Sequence, residues 1–94
     1  MDPKPYFVYM LRTSGNTLYV GQTSNLRVRL QEHKSKNSRS AKYTRSFASV
    51  ALVYTEKLQN KSEALKREHV IKQMTHLEKE ELISRTPLDT ANDN

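Results

Sequence analysis

The order of hydrophobic and polar positions along the chain predicts three strands and three helices. Runs rich in aromatic and β-branched residues lie at 6–11, 17–20 and 50–54, which favours strands. Segments with apolar residues at helical spacing lie at 25–34, 60–73 and 75–84. Asn60 with Glu63, and Thr75 with Glu78, are typical helix starts. The pattern predicts an α/β chain of the α+β kind, with one domain at 5–84 and a disordered tail at 85–94.

The first two predicted strands are close enough in sequence to form a hairpin. A three-residue loop of Thr13, Ser14 and Gly15 would put Gly15 at the left-handed position of such loops. Residue 12 then pairs with 16, 11 with 17 and 9 with 19, so Tyr9 and Tyr19 become direct cross-strand neighbours. A two-residue loop would instead place the two tyrosines on opposite faces of the sheet.

The segment after the hairpin carries an arginine and a histidine one turn apart. We expect Gly21 to end the second strand and Ser24 or Asn25 to cap the helix that follows. Two leucines form the buried edge of this helix, Leu26 and Leu30. On a helical wheel Arg29 and His33 lie about 40° apart beside that edge. Both side chains should therefore lie where the helix meets the sheet.

A carboxylate interrupts the apolar face of the helix at 60–73. Ala64 and Ile71 define that face, and Glu68 lies about 40° from Ala64 on the helical wheel. Carboxylates rarely lie within an apolar arc unless a partner compensates their charge. Glu68 is therefore the position of this helix that most needs an explanation beyond packing.

The net charge of +6 is unevenly distributed along the 94 residues. Residues 1–48 hold nine Lys and Arg against two acids, whereas residues 49–94 hold seven against eight. Such segregation predicts a polyanionic partner, most simply nucleic acid, and a solvated basic surface without a ligand is the alternative. Besides Arg29, the candidate contacts for nucleic acid are Arg27, Lys34, Lys36, Arg39, Lys42 and Arg45.

Composition also excludes several classes of protein. The chain has no cysteine, which excludes disulfides and thiolate metal sites. No apolar run reaches the roughly 18 residues that a membrane span needs, and no signal peptide precedes the first strand. We therefore expect a cytoplasmic protein that does not bind membranes, as a monomer or weak dimer.

The remaining candidate residues favour the hydrolysis of phosphodiester bonds. Arginine forms charge-assisted, often bidentate hydrogen bonds to phosphate. A single carboxylate can hold Mg²⁺ or Mn²⁺ beside substrate oxygens and water. A tyrosine can position or deprotonate the attacking water if its pKa is lowered locally. The sequence has no Gly-rich phosphate loop and no nucleophile elbow that would favour another chemistry.

These residues resemble the motifs of the GIY-YIG nuclease superfamily, and the likeness covers roughly residues 5–84. The segment Phe7-Val8-Tyr9 precedes Tyr19-Val20-Gly21 by ten residues, and Arg29-Leu30-Gln31-Glu32-His33 follows. Ala64-Leu65-Lys66-Arg67-Glu68 matches the segment that bears the metal-binding glutamate of the family. The chain is most similar to the small stand-alone members, in which a three-stranded antiparallel sheet is flanked by helices.

The resemblance implies a role for each of five residues. Tyr9 would be the general base or position the water, and Tyr19 would contact the scissile phosphate or assist the proton transfer. Arg29 would stabilise the pentacovalent phosphate, and His33 would support the water or the base. Glu68 would bind one divalent metal ion, and Gly21 would let the backbone turn tightly beside the substrate.

The function predicted from the sequence is therefore a metal-dependent endonuclease that cuts DNA. One alternative is a non-catalytic nucleic-acid-binding module that has kept the scaffold. Another is a catalytic subunit that stays idle until a protein partner supplies the substrate-binding surface and the specificity.

Overall fold

The computed structural model describes residues 4–35 and 49–86. It contains, in chain order, β1 (Tyr6–Thr13), β2 (Leu18–Thr23), α1 (Leu26–Ser35), β3 (Val50–Leu58), α2 (Lys61–Lys72) and α3 (His76–Arg85). The strands form one antiparallel sheet in the order β2-β1-β3. This architecture confirms the predicted α+β fold with a three-stranded sheet. Each strand reaches beyond its predicted end, because polar residues such as Thr23 and Glu56 continue the ladder.

The hairpin loop between β1 and β2 lies one residue later than the sequence predicts. The Thr13 N–H donates to the carbonyl of Thr17, and the Asn16 N–H donates to the carbonyl of Thr13, both at 2.9 Å. The loop is therefore Ser14-Gly15-Asn16, and its left-handed residue is Asn16, with φ 62°. Asparagine tolerates this conformation, and its Oδ1 accepts a hydrogen bond from Arg12 at 3.0 Å. The predicted loop with Gly15 at the left-handed position is wrong.

The two faces of the sheet carry different kinds of residue, because side chains alternate along each strand. On one face, α2 and α3 pack on the strands to form the hydrophobic core of Val8, Met10, Val20, Tyr54, Ala64, Ile71 and Leu82. The other face carries Tyr9, whose hydroxyl meets His33 of α1. Packing thus occupies one face and leaves the tyrosines of β1 and β2 to the other.

Side-chain contacts fix the starts of the last two helices and tie the last one to the sheet. Asn60 accepts a hydrogen bond from the Glu63 N–H, and Thr75 and Glu78 form a complete capping box, which confirms both predicted starts. Arg12 then donates two hydrogen bonds to Glu80, at 2.7 and 2.6 Å. This bidentate pair holds α3 against the end of β1.

Within residues 4–35 and 49–86, no helix is both long enough and apolar enough to cross a membrane. Most of the predicted disordered tail, residues 87–94, lies outside the described residues.

Candidate active site

Tyr9 lies directly over Gly21. The two residues are partners in the β1–β2 ladder. A Cβ atom at position 21 would lie 2.6 Å from the Tyr9 hydroxyl oxygen and 2.7 Å from Cζ. Gly21 lies inside β2 with no positive φ, so the prediction that it ends the strand in a tight turn is wrong. Its missing side chain instead provides the space that the Tyr9 ring occupies.

Tyr9, Tyr19 and His33 form one aromatic cluster on this face. The Tyr9 hydroxyl lies 3.1 Å from Nε2 of His33. Ring centroids are 6.2 Å apart for the two tyrosines and 5.1 Å apart for Tyr19 and His33. Tyr19 pairs with Leu11, so the predicted direct pairing of the tyrosines is wrong, and they are diagonal neighbours. They still share a face, because the register differs from the predicted one by two residues.

The cluster is buried to different depths. The exposed fraction is 0% for Tyr9 and 1% for His33, whereas Tyr19 is partly exposed. The hydroxyl groups of Tyr9 and Tyr19 also interact, which adds to the rise in the pKa of Tyr9 that burial causes. The three side chains therefore lead from the surface at Tyr19 to a buried imidazole.

Arg29 projects from α1 one turn before His33. Asn25 caps this helix, since its Oδ1 accepts a hydrogen bond from the Val28 N–H at 3.2 Å. Nε of Arg29 lies 3.6 Å from Oε1 of Glu32, and about a third of the arginine side chain is exposed. Burial raises the pKa of Tyr9 and the charge of Arg29 opposes that rise, whereas burial and then Arg29 lower the pKa of His33. The guanidinium is therefore close to the aromatic cluster and still open to solvent.

Burial keeps the Tyr9 and His33 pair uncharged. Desolvation, followed by the influence of Tyr19, raises the pKa of Tyr9 well above its ordinary value, although Arg29 opposes the rise. Desolvation and then Arg29 lower the pKa of His33, and Glu32 partly offsets them. Near neutral pH the pair is a phenol beside a neutral imidazole. The sequence interpretation required a locally lowered tyrosine pKa, whereas the pKa of Tyr9 is raised, chiefly by burial.

Glu68 lies on the face of α2 that packs on the sheet. Ala64 and Ile71 of this face are fully buried, and the Glu68 side chain is 17% exposed. After burial and Tyr19, the charge of Glu68 adds slightly to the raised pKa of Tyr9. Oε2 of Glu68 lies 3.5 Å from Nζ of Lys72, so the carboxylate forms an ion pair with this lysine.

The surroundings of Glu68 suit a divalent ion held by one carboxylate. Within the described ranges no cluster of three or more His, Asp and Glu side chains could hold a metal. Mg²⁺ commonly keeps several waters and takes only one or two carboxylates with substrate phosphates. The single, partly exposed carboxylate therefore fits Mg²⁺ or Mn²⁺, with water and phosphate as the other ligands.

The predicted nucleic-acid contacts are only partly described. Arg27 and Lys34 are exposed on α1. The other four lie outside the described residues: Lys36, Arg39, Lys42 and Arg45. The sequence interpretation missed the ion-pair partners of two site residues, Glu32 for Arg29 and Lys72 for Glu68. Their (i, i+3) and (i, i+4) spacings were available as a signal.

Comparisons with known proteins found a family model, relatives and a solved structure that this chain resembles. The family model for the GIY-YIG catalytic domain matches residues 5–81. A UPF0213 protein of Syntrophus aciditrophicus is 47% identical over 81 residues, which cover 86% of this chain and 92% of the relative. A UPF0213 protein of Desulfotalea psychrophila is 43% identical over 82 residues, covering 87% and 74%. The solution NMR structure of a UPF0213 protein from Bacillus halodurans has a TM-score of 0.58 at 28% identity, covering 96% and 94%.

Proposed function

Because the chain belongs to the GIY-YIG catalytic domain family, we propose that it is a divalent-metal-dependent endonuclease that hydrolyses DNA phosphodiester bonds. One observation carries the proposal. The buried hydroxyl group of Tyr9 contacts His33, and burial, Tyr19, Arg29 and Glu68 all affect its pKa. The candidates for a phosphate clamp, a proton path and a metal ligand therefore all affect one group, which supports the proposal.

The proton of the attacking water leaves through the aromatic cluster. Tyr19 is the partly exposed member, so we assign it the contact with the water. In this path the Tyr19 hydroxyl would pass a proton to Tyr9, whose hydroxyl lies 3.1 Å from Nε2 of His33, and that nitrogen accepts when the imidazole carries its own proton on Nδ1. Because the proton moves on to His33, Tyr9 need not exist as a free phenolate.

Arg29 binds the scissile phosphate. Its pairing with Glu32 is long, at 3.6 Å, and both side chains are about one-third exposed, so the pair is easily released. A phosphate offers the guanidinium a stronger, bidentate partner. In the pentacovalent transition state the added negative charge strengthens that interaction, which is how the residue accelerates the reaction.

Glu68 would hold Mg²⁺ or Mn²⁺ beside the phosphate. A bound ion would supply positive charge that polarises the phosphoryl group and offsets the negative charge on the leaving oxygen as its bond to phosphorus breaks. Glu68 would hold the ion from α2, the helix whose Ala64 and Ile71 pack in the core.

Full burial of Tyr9 also favours one alternative, a non-catalytic module that binds nucleic acid. A tyrosine with no exposed surface cannot itself touch a substrate water, and in a module it would only support the fold. The two functions differ in whether bound DNA is cut.

A cleavage assay distinguishes the endonuclease from the non-catalytic binding module. Purified protein is incubated with plasmid and oligonucleotide DNA, duplex and branched, plus Mg²⁺ or Mn²⁺, with and without chelator. We expect metal-dependent nicking in the wild type and none in Arg29→Ala. A matched control is Arg85→Ala, which removes an exposed arginine at the end of α3 and should still nick DNA. Binding without cutting under every condition would support the module instead.

A further inference from the structure

Lys72 places a positive charge on the carboxylate assigned to the metal. The two residues are one turn apart on α2, and Nζ lies 3.5 Å from Oε2 of Glu68. The glutamate side chain is 17% exposed and the lysine side chain 55% exposed. The ammonium group therefore approaches the largely buried carboxylate from the solvent side, which is also the side from which a metal ion would arrive.

A divalent cation and the ammonium group of Lys72 compete for the negative charge of the Glu68 carboxylate. No group of three or more acidic or histidine side chains in the described ranges could hold a metal, and the proposed function assigns the ion to the single carboxylate of Glu68. An ion bound there would lie close to Nζ, and the like charges would repel each other. Lysine is a hydrated point charge on a flexible stem, so its ammonium can move into solvent.

We propose that Lys72 is an internal counterion of Glu68, which a divalent metal ion must displace to enter the site. The inference rests on the proposed function, because that function makes Glu68 the metal ligand. Lys72 acts through Glu68 and is a positioning residue. It compensates the partly buried carboxylate before metal arrives, and it raises the metal concentration at which the site fills.

The test measures Mn²⁺ binding without DNA, at low ionic strength, by the electron paramagnetic resonance signal of free Mn²⁺. Lys72→Met should bind Mn²⁺ about two- to fivefold more tightly, since pairs of this exposure contribute little more than such a factor. Lys72→Arg keeps the charge and should stay near the wild-type affinity. Lys66→Met is the matched control, because Lys66 is exposed on the same helix about 160° from Glu68. It should leave Mn²⁺ affinity unchanged, and circular dichroism checks that all variants fold.

Glu68→Gln makes the two ways of failing distinguishable. If Glu68→Gln binds Mn²⁺ as well as the wild type does, the metal assignment in the proposed function is wrong. If Glu68→Gln loses Mn²⁺ but Lys72→Met matches the wild type, only the counterion role is overturned. An equal gain in Lys66→Met would also overturn it, because net charge alone would then explain the effect. Failure of both wild type and Lys72→Met to bind Mn²⁺ at any concentration would reject the proposal as well.

Discussion

The hydroxyl of Tyr9 lies 3.1 Å from Nε2 of His33, and neither residue is more than 1% exposed. A buried phenol and a buried imidazole in contact satisfy each other's hydrogen-bonding capacity without charge. The same contact lets a proton pass between them, so one interaction serves both stability and the proposed chemistry.

Tyr9→Phe should reduce the rate of cleavage by about 10² or more, because it removes one hydroxyl from the path of the proton. DNA affinity should change little. Single-turnover cleavage with saturating protein measures the rate, and fluorescence anisotropy measures the DNA affinity. Tyr54→Phe is the control, since Tyr54 is also buried but lies in the opposite face, where its hydroxyl donates to Glu56 at 2.9 Å. Undiminished cleavage by Tyr9→Phe would remove Tyr9 from the mechanism.

Cleavage should depend on the neutral form of His33. The lowered pKa of His33 means that the imidazole stays neutral to a pH below its ordinary value of about 6.5. The rate should therefore hold through neutral pH and fall only as the pH drops through that lowered pKa. A pH profile of kcat/KM between about 5 and 9 measures it. A rate that climbs steadily above neutrality would indicate a free tyrosinate instead, contrary to the raised pKa of Tyr9.

Gly21→Ala should damage both the fold and the site. The new Cβ would meet the Tyr9 ring, which is fully buried and cannot move away without disturbing its neighbours. Overpacking of this kind costs about 1–3 kcal/mol in the free energy of unfolding. Urea denaturation measures it, and Gly15→Ala is the control, because Gly15 is exposed in the hairpin with no positive φ. Equal stability of the two variants would show that the Tyr9 ring adapts freely.

The contact between Arg12 and Glu80 should make stability depend on acidic pH. Hydrogen bonds from Arg12 are the main cause that lowers the pKa of Glu80 below its ordinary 4.5. The folded state then binds fewer protons here than the unfolded state, so this contribution is present above pH 4.5 and is lost as the pH falls through the lowered pKa. Thermal melting between about pH 3 and 7 should show a smaller acid-dependent drop in Glu80→Gln than in the wild type. Glu81→Gln, an exposed neighbour, should melt like the wild type.

The periodicity of the sequence predicted which residues share a face, but not which residues contact each other. The period of two kept Tyr9 and Tyr19 on one face although the predicted loop was misplaced, because that error shifted the register by an even number of residues. The helical period correctly placed Glu68 beside Ala64 and Ile71. The role of Gly21 could not be predicted, since the approach of Tyr9 depends on the true register. Arg12 and Glu80 are 68 positions apart, a separation at which no spacing rule applies.

The central strand of the sheet is also the first to be synthesised. β1 pairs with β2 on one side and with β3 on the other. β2 follows β1 after a short loop, whereas β3 begins only at Val50. A nascent chain that has left the ribosome only through α1 carries four of the five proposed site residues, but one edge of β1 and its whole core face are still without partners. Glu68 emerges later, on the helix that covers that face. Under the proposed function an unfinished chain could therefore not cut nucleic acid, because the residue assigned to the metal arrives only with the helix that completes the core.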